Sequence, residues 1–369
     1  MTRAILKGLT TISVIVLGYS IANCEPIQTG QVVIEVSPSV ELVSIIFRLA
    51  GNGEYNVLTI PSYDQDVKKH FEPFIDHPAV QFAAELAKKK GIGFDGPIWM
   101  AIQLANGLTP RKDIRFPQNL VSADKRWSTE DAKKFATLAE KFAKDTRFQD
   151  FFAQHKALYA TAETRMRDVL EKDVRLTWFQ KFFGKQAGTT FYAIPGMLTG
   201  DQSYGPSIKT TDGRRDVYAI LTIYSGKQEL PDFSEEARHI IAHEFIHSYT
   251  NPLVDKFASK LEPSGEKLFS RTSDLMKRQN YGNWKALMYE SLNRACGIRY
   301  TFATKGPEAA YQLSKQERER GFYWVPGLAD LLEQYDRQPR EYKDLTQFFP
   351  KIIDYLNNYS NKAGTETKK

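Results

Sequence analysis

The chain has 369 residues, 42% hydrophobic and 25% charged, the values of an ordinary globular protein with room for two domains or one large two-lobed body. Its formal charge of +6 falls to +4 once Arg3 and Lys7 of the leader are set aside, and Lys and Arg are interleaved with Asp and Glu. No basic stripe with interleaved aromatics occurs, which excludes a nucleic-acid partner, and only "NKAGTETKK" (361–369) has the composition of a disordered tail.

Residues 1–24 read as an export signal: a short basic start, "MTRAILKG", then a moderately apolar run, "LTTISVIVLGYSIA", too short and polar to span a membrane. Cleavage after Ser20-Ile21-Ala22 would release a soluble exported protein. Ile21-Ala22-Asn23-Cys24 resembles a lipobox, in which a lipidated Cys24 would attach the chain to a membrane. The lipobox reading is preferred because the early cysteine falls where the apolar run ends, although Asn23 departs from the usual small residue. The expected location is the periplasm or cell surface as a lipoprotein, otherwise secreted. The other cysteine, Cys296, lies in an apolar segment and reads as a small core residue.

Along the mature chain, 25–186 reads as mostly helical, 187–256 as a β segment followed by a helix, and 257–360 as a helical lobe. "QVVIEVSP" predicts a strand and "SVELVSIIFRLAG" a helix ending at Gly51. Residues 63–91 predict one or two helices interrupted near Pro78. "STEDAKKFATLAEKFAKDT" predicts a helix capped by Ser128, "RFQDFFAQHKALYATAETRMRDVLEKD" one long helix, and "LTWFQKFFG" a short one closed by Gly184. "TTFYAIPGML" and "DVYAILTIYS" predict strands of a small sheet. "PDFSEEARHIIAHEFIHSYTNP" follows as a helix capped by Asp232 or Ser234 and ended by Pro252. Further helices are predicted from 264, 283, 326 and 345 onward. The fold class is α+β and mostly helical.

His243 and His247 lie four apart in the pattern H-E-x-x-H, one turn apart on one helix face. Two imidazoles so placed can reach a single Zn2+ at about 2.0–2.1 Å. Glu244 then stands beside the open coordination position, suited to act as general base on a bound water. The flanking Ile240, Ile241, Phe245 and Ile246 bury the helix, and buried imidazoles and carboxylates need partners that a shared metal supplies. His239 lies one turn before His243, but the signature does not need it.

A catalytic zinc usually takes three protein ligands. No histidine follows His247, so the third must be a carboxylate, and Asp255, Glu262, Glu266 and Glu290 are the candidates. Glu266 follows "PSG", in what reads as an exposed first turn. Glu290 lies inside the apolar "ALMYESLNRACGIRY", where an acid is costly to bury alone. Arg294, one turn on, can pair with it, either as a plain ion pair or as the partner that orients a ligand. Glu290 is the preferred third ligand.

"HEFIHSYTNP" with a downstream "YESLNRA" resembles the gluzincin-type zinc metallopeptidases. The chain more closely resembles a family of exported bacterial proteins labelled as a domain of unknown function (DUF4932), through "HFEPFIDHP", "FYAIPGML" and "GFYWVPGLADLL" as well. The resemblance implies His243, His247 and Glu290 as ligands, Glu244 as base, and a zincin-like core of small sheet, signature helix and helical second lobe. It implies a peptidase acting on peptide or protein substrates. The rival reading is a zinc-stabilised binding lipoprotein on the same fold, without turnover.

Gluzincins usually add a donor that stabilises the oxyanion. Tyr323 is the first choice here, with Tyr281, Tyr289 and Tyr311 as rivals. Asn251 and Asp255 read as anchors of the helix end rather than as supports for a histidine. His70 and His77 read as structural, and "YAILTIY" fits either an edge strand that pairs a peptide or a core strand.

Overall fold

The computed structural model describes residues 32–57, 60–106, 108–184, 188–225, 229–233, 235–279, 281–337 and 341–362. The leader with Cys24, the capping candidate Ser234 and most of the tail lie outside the described residues, as does the side chain of His239.

A short strand β1 (Val32–Ile34) opens the fold. Among the described residues nine α-helices follow: α1 (Pro38–Leu49), α2 (Pro61–Phe71), α3 (Pro78–Lys90), α4 (Asp95–Ala101), α5 (Gln118–Ala123), α6 (Thr129–Asp145), α7 (Phe148–Gln154), α8 (Lys156–Asp173) and α9 (Leu176–Phe183). Local chemistry sets their ends. Ser37 caps α1, His77 Nδ1 accepts from the amide of Ala79 ahead of Pro78 in α3, and Ser128 accepts from Asp131 in α6. Gly51 and Gly184, at φ of +88° and +81°, take left-handed conformations that a side chain would resist. The single long helix expected over 147–173 is instead two. His155 Nδ1 engages the carbonyl of Phe151 at 2.9 Å, and this competing side-chain bond marks the break between α7 and α8.

The strands β2 (Thr189–Gly196), β3 (Ser207–Lys209) and β4 (Arg215–Thr222) join β1 in one mixed sheet of order β1-β2-β4-β3. β2 runs parallel to both neighbours, with Phe191 beside Val32 and Val217, whereas β3 is antiparallel to β4. Parallel strands buried on both faces explain the nearly unbroken apolar run of "YAILT". β5 (Tyr224–Ser225) and β6 (Pro231–Asp232) pair separately.

Within "YAILTIY" the stretch Tyr218–Ile220 is therefore interior. Tyr204 exchanges two backbone bonds of 2.8 Å with Ile220, the Tyr218 amide donates to Pro206, and β3 pairs with Arg215–Val217 just before the segment. The edge beside β4 belongs to residues 203–209, which carry too few β-branched residues to announce a strand.

The C-terminal part is helical: α10 (Glu235–Lys256), α11 (Ala258–Arg278), α12 (Trp284–Lys305), α13 (Pro307–Glu319), α14 (Val325–Arg337) and α15 (Leu345–Lys362). Among the described residues no helix is long and apolar enough to cross a membrane. The protein is thus a mostly helical α+β fold with a small mixed sheet. α10 lies between sheet and helices. Phe245 and Tyr249 pack on Phe191 of β2, with ring centroids at 4.8 and 6.0 Å, while the other side of α10 faces α12.

Pro252 was expected to end α10, yet the helix runs four residues further. A proline inside a helix strands the carbonyl four residues back, here that of Ser248. The guanidinium of Arg215 in β4 donates to that carbonyl at 3.2 Å, which lets the helix continue.

Candidate metal centre

α10 and α12 place His243, His247 and Glu290 in one group, with a ligating atom of each within 4.8 Å of the others. The two imidazole Nε2 atoms face each other at 3.0 Å. Glu290 Oε1 lies 3.2 Å from His247 Nε2, and Oε2 lies 3.7 Å from His243 Nε2. Asp255, Glu262 and Glu266 are exposed and stand outside this group. Glu266 sits in mid-helix, because α11 starts at Ala258 and carries Pro263 within it.

His247 Nδ1 lies 3.1 Å from Asn251 Oδ1, an oxygen that can only accept, so the proton belongs on Nδ1 and the Nε2 lone pair points into the group. Glu290 Oε2 is buried, ion-paired with Arg294 at 3.0 Å, and accepts no well-directed hydrogen bond. Two imidazoles and a carboxylate thus converge on one small volume that could hold a cation. The donor set of two imidazoles and a carboxylate suits a divalent metal such as zinc. The residues present fit the group that the sequence implies.

The charges follow from burial and neighbours. Burial, together with His247, drives His243 down to about 3. Burial also disfavours the charge on His247, but Glu290 outweighs it and raises that imidazole. Burial alone would raise Glu290, yet the two histidines and Arg294 hold its carboxyl well below the usual range. Burial pushes Glu244 up to about 7, helped by the charge of Glu290 and opposed by His247.

The family model described as "Domain of unknown function (DUF4932)" matches residues 32–355, most of the chain. The protein belongs to this family. No curated protein and no solved structure matches it.

Around the three convergent residues stands a layer of which the sequence offered Arg294, Tyr281 and Asn251 but not Glu317 or Asn293. That guanidinium reaches Glu317 at 2.7 Å and the Tyr281 hydroxyl at 3.0 Å, and stacks over Phe322 at 4.6 Å. Glu317 lies on α13, a helix that sequence reading passed over. Asn293 donates to the His243 carbonyl at 2.9 Å and so ties α12 to α10. Asn251 supports His247 rather than capping the helix, because α10 continues past it.

Of the four tyrosines considered, Tyr281 is the one at the centre. Burial and the charge of Glu290 push its hydroxyl up to about 12. Tyr323 instead points outward at 43% exposure between the buried Phe322 and Trp324, and Tyr311 is also exposed. Tyr289 donates to Asp255 on the surface. Elsewhere, His70 meets the Thr146 carbonyl, His77 caps α3, and Cys296 is fully buried in the core.

Gly205 is the residue that sequence reading missed most clearly. A Cβ built on it would stand 1.7 Å from Glu244 Oε2. The stretch 200–206 therefore crosses directly over the Glu244 carboxylate, and only a glycine lets it approach so closely. Thr222 holds the first half of this strap, its hydroxyl on the Gly200 carbonyl and its amide on the Ser203 hydroxyl.

Proposed function

We propose that this protein is a zinc-dependent hydrolase of the gluzincin type that cleaves peptide bonds outside the cytoplasm. The observation that carries the reading is the convergence of His243, His247 and Glu290 with a half-buried Glu244 on the same helix. A bound zinc ion would supply a Lewis acid and an acidified water. His243, His247 and Glu290 would hold that ion, with Asn251 and Arg294 orienting two of the three.

Glu244 takes the proton of the attacking water and delivers it to the leaving amine. Its environment suits the task, since a carboxyl pushed toward neutrality both accepts and returns a proton. The strap supports a peptide substrate in particular. Strand alternation turns the N–H and C=O of Gly205 and Ser207 away from β4, so a second extended chain can pair with them directly above Glu244. A small mixed sheet beside α10, with the glutamate supplied by α12, supports a zincin-like core. The export signal adds the location: tethered through a lipidated Cys24, or released after Ala22.

Glu244→Gln tests the reading. The purified wild type should cleave members of a peptide library, and the variant should bind zinc equally well but lose cleavage by at least about a hundredfold. Retained cleavage in the variant removes Glu244 from the mechanism. A wild type that binds zinc and cleaves nothing supports the binding lipoprotein instead.

A further inference from the structure

Phe94 stands in a conformation that favours glycine, at φ 51° and ψ −112°. Its ring is 57% exposed. The two bonds that fix the residue both act on its backbone. Its amide donates to Glu54 Oε1 at 2.9 Å, and its carbonyl accepts the Tyr55 hydroxyl at 2.6 Å. A glycine would keep both bonds, relax the backbone and expose no ring. Neither of the two bonds needs a phenylalanine here, and strain of this kind clusters at residues that serve a ligand.

The position of Phe94 says which ligand. The Tyr55 hydroxyl also meets that of Tyr204. Tyr204 precedes Gly205, which lies on Glu244. Val57, 38% exposed, comes within 3.8 Å of a Cβ built on Gly200. Tyr224, 43% exposed, follows two residues after Thr222, which binds the Gly200 carbonyl. Exposed apolar side chains thus flank the Gly200 end of a strap whose other end crosses Glu244.

We propose that Phe94 is a specificity-determining contact for an extended polypeptide laid along the strap, receiving one bulky apolar side chain. The proposal rests on the peptidase reading of the Glu244 site. The Phe94 amide is held by Glu54, whose carbonyl lies against Gly200, so the preferred side chain falls on the Gly200 side of the bond cleaved at Glu244.

The test uses the zinc-loaded mature chain carrying Glu244→Gln, which separates binding from turnover. Fluorescein-labelled decapeptides with a single phenylalanine scanned through alanine-rich sequence are titrated by anisotropy, with and without Phe94→Gly. One register of the phenylalanine should bind more tightly than its all-alanine parent, and Phe94→Gly should weaken that peptide about tenfold while leaving the parent unchanged. The thermal midpoint of the Phe94→Gly protein should not fall. Equal affinities with and without Phe94 overturn the proposal, as does a failure of every decapeptide to bind. Loss of both peptides together with a lowered midpoint makes Phe94 structural and overturns it too. So does a shift from dimer to monomer in sedimentation, which would make the patch a contact between copies. If Phe94→Gly behaves as expected but the wild type cleaves nothing, the contact stands and the hydrolytic reading falls. If the wild type cleaves peptides and Phe94→Gly is indifferent, the reverse holds.

Discussion

Glu290→Ala is the sharpest test of the metal centre, because it can be read without knowing a substrate. Glu290 is the only carboxylate in the convergent group, with oxygens 3.2 and 3.7 Å from the two imidazole nitrogens. Its removal leaves two ligands where a stable site needs three. Losing an outer partner of a ligand typically costs 10–100-fold in affinity, so losing the ligand itself should cost about a thousandfold or more, roughly 4 kcal/mol. The fold should tolerate the change, since Arg294 keeps Glu317 at 2.7 Å and no buried charge is left alone. The assay is zinc titration of chelator-stripped protein against a competing chelator, with thermal unfolding alongside. Zinc at a hundred times the wild-type Kd should stabilise the wild type by about 2.7 kcal/mol, a rise of a few degrees, and leave Glu290→Ala unmoved. Glu266→Ala, on the exposed face of α11, serves as the control and should match the wild type. Zinc affinity within threefold of wild type in Glu290→Ala would falsify the assignment.

Three further perturbations probe the surroundings. Gly205→Ala should force Glu244 to retreat by about 1.7 Å to reach ordinary contact, lowering turnover at least about a hundredfold while zinc affinity stays within threefold; unchanged turnover would mean that the strap does not set the Glu244 position. Asn251→Ala should lower zinc affinity by about 10–100-fold with little effect on the thermal midpoint of the stripped protein, and equal affinity would reduce the Asn251 bond to a local helix contact. Glu41 offers a pH test. It is fully buried, accepts from Tyr63 and from the Met197 amide, and burial pushes its carboxyl up to about 8. Because the folded value lies above the unfolded one, its contribution is complete below about pH 4.5 and is lost as pH rises through about 8. The loss is on the order of 5 kcal/mol at one unit per 1.36 kcal/mol. Glu41→Gln should flatten that slope in denaturant unfolding at pH 5 against pH 9, and an unaltered slope would show that Glu41 titrates normally.

The centre was legible in the sequence because its geometry is written in local spacing. A separation of four on a helix fixes the relation of His243 to His247, and an acid in an apolar helix singled out Glu290. Long-range relations left no such trace. That β2 pairs parallel to β4, that residues 203–209 close the sheet, and that Gly205 rests on Glu244 all depend on how distant segments are brought together. Pro252 misled because its breaking effect was answered by Arg215, 37 residues earlier in the chain. Glu317 looked like an ordinary surface residue until α12 and α13 brought it to Arg294.

The pairing of β1 with β2 bears on how the protein comes into being. Val32 bonds alongside Phe191, a partner that leaves the ribosome about 160 residues later. Every helix from α1 to α9 is made in the interval, so the first strand waits unpaired while they form. Closing so large a loop is slow, and the sheet that seats α10 is completed only once β4 has joined. Pulse-labelled hydrogen exchange during refolding should therefore find amides of the early helices protected before those of β1 and β2, with zinc binding acquired in the later phase.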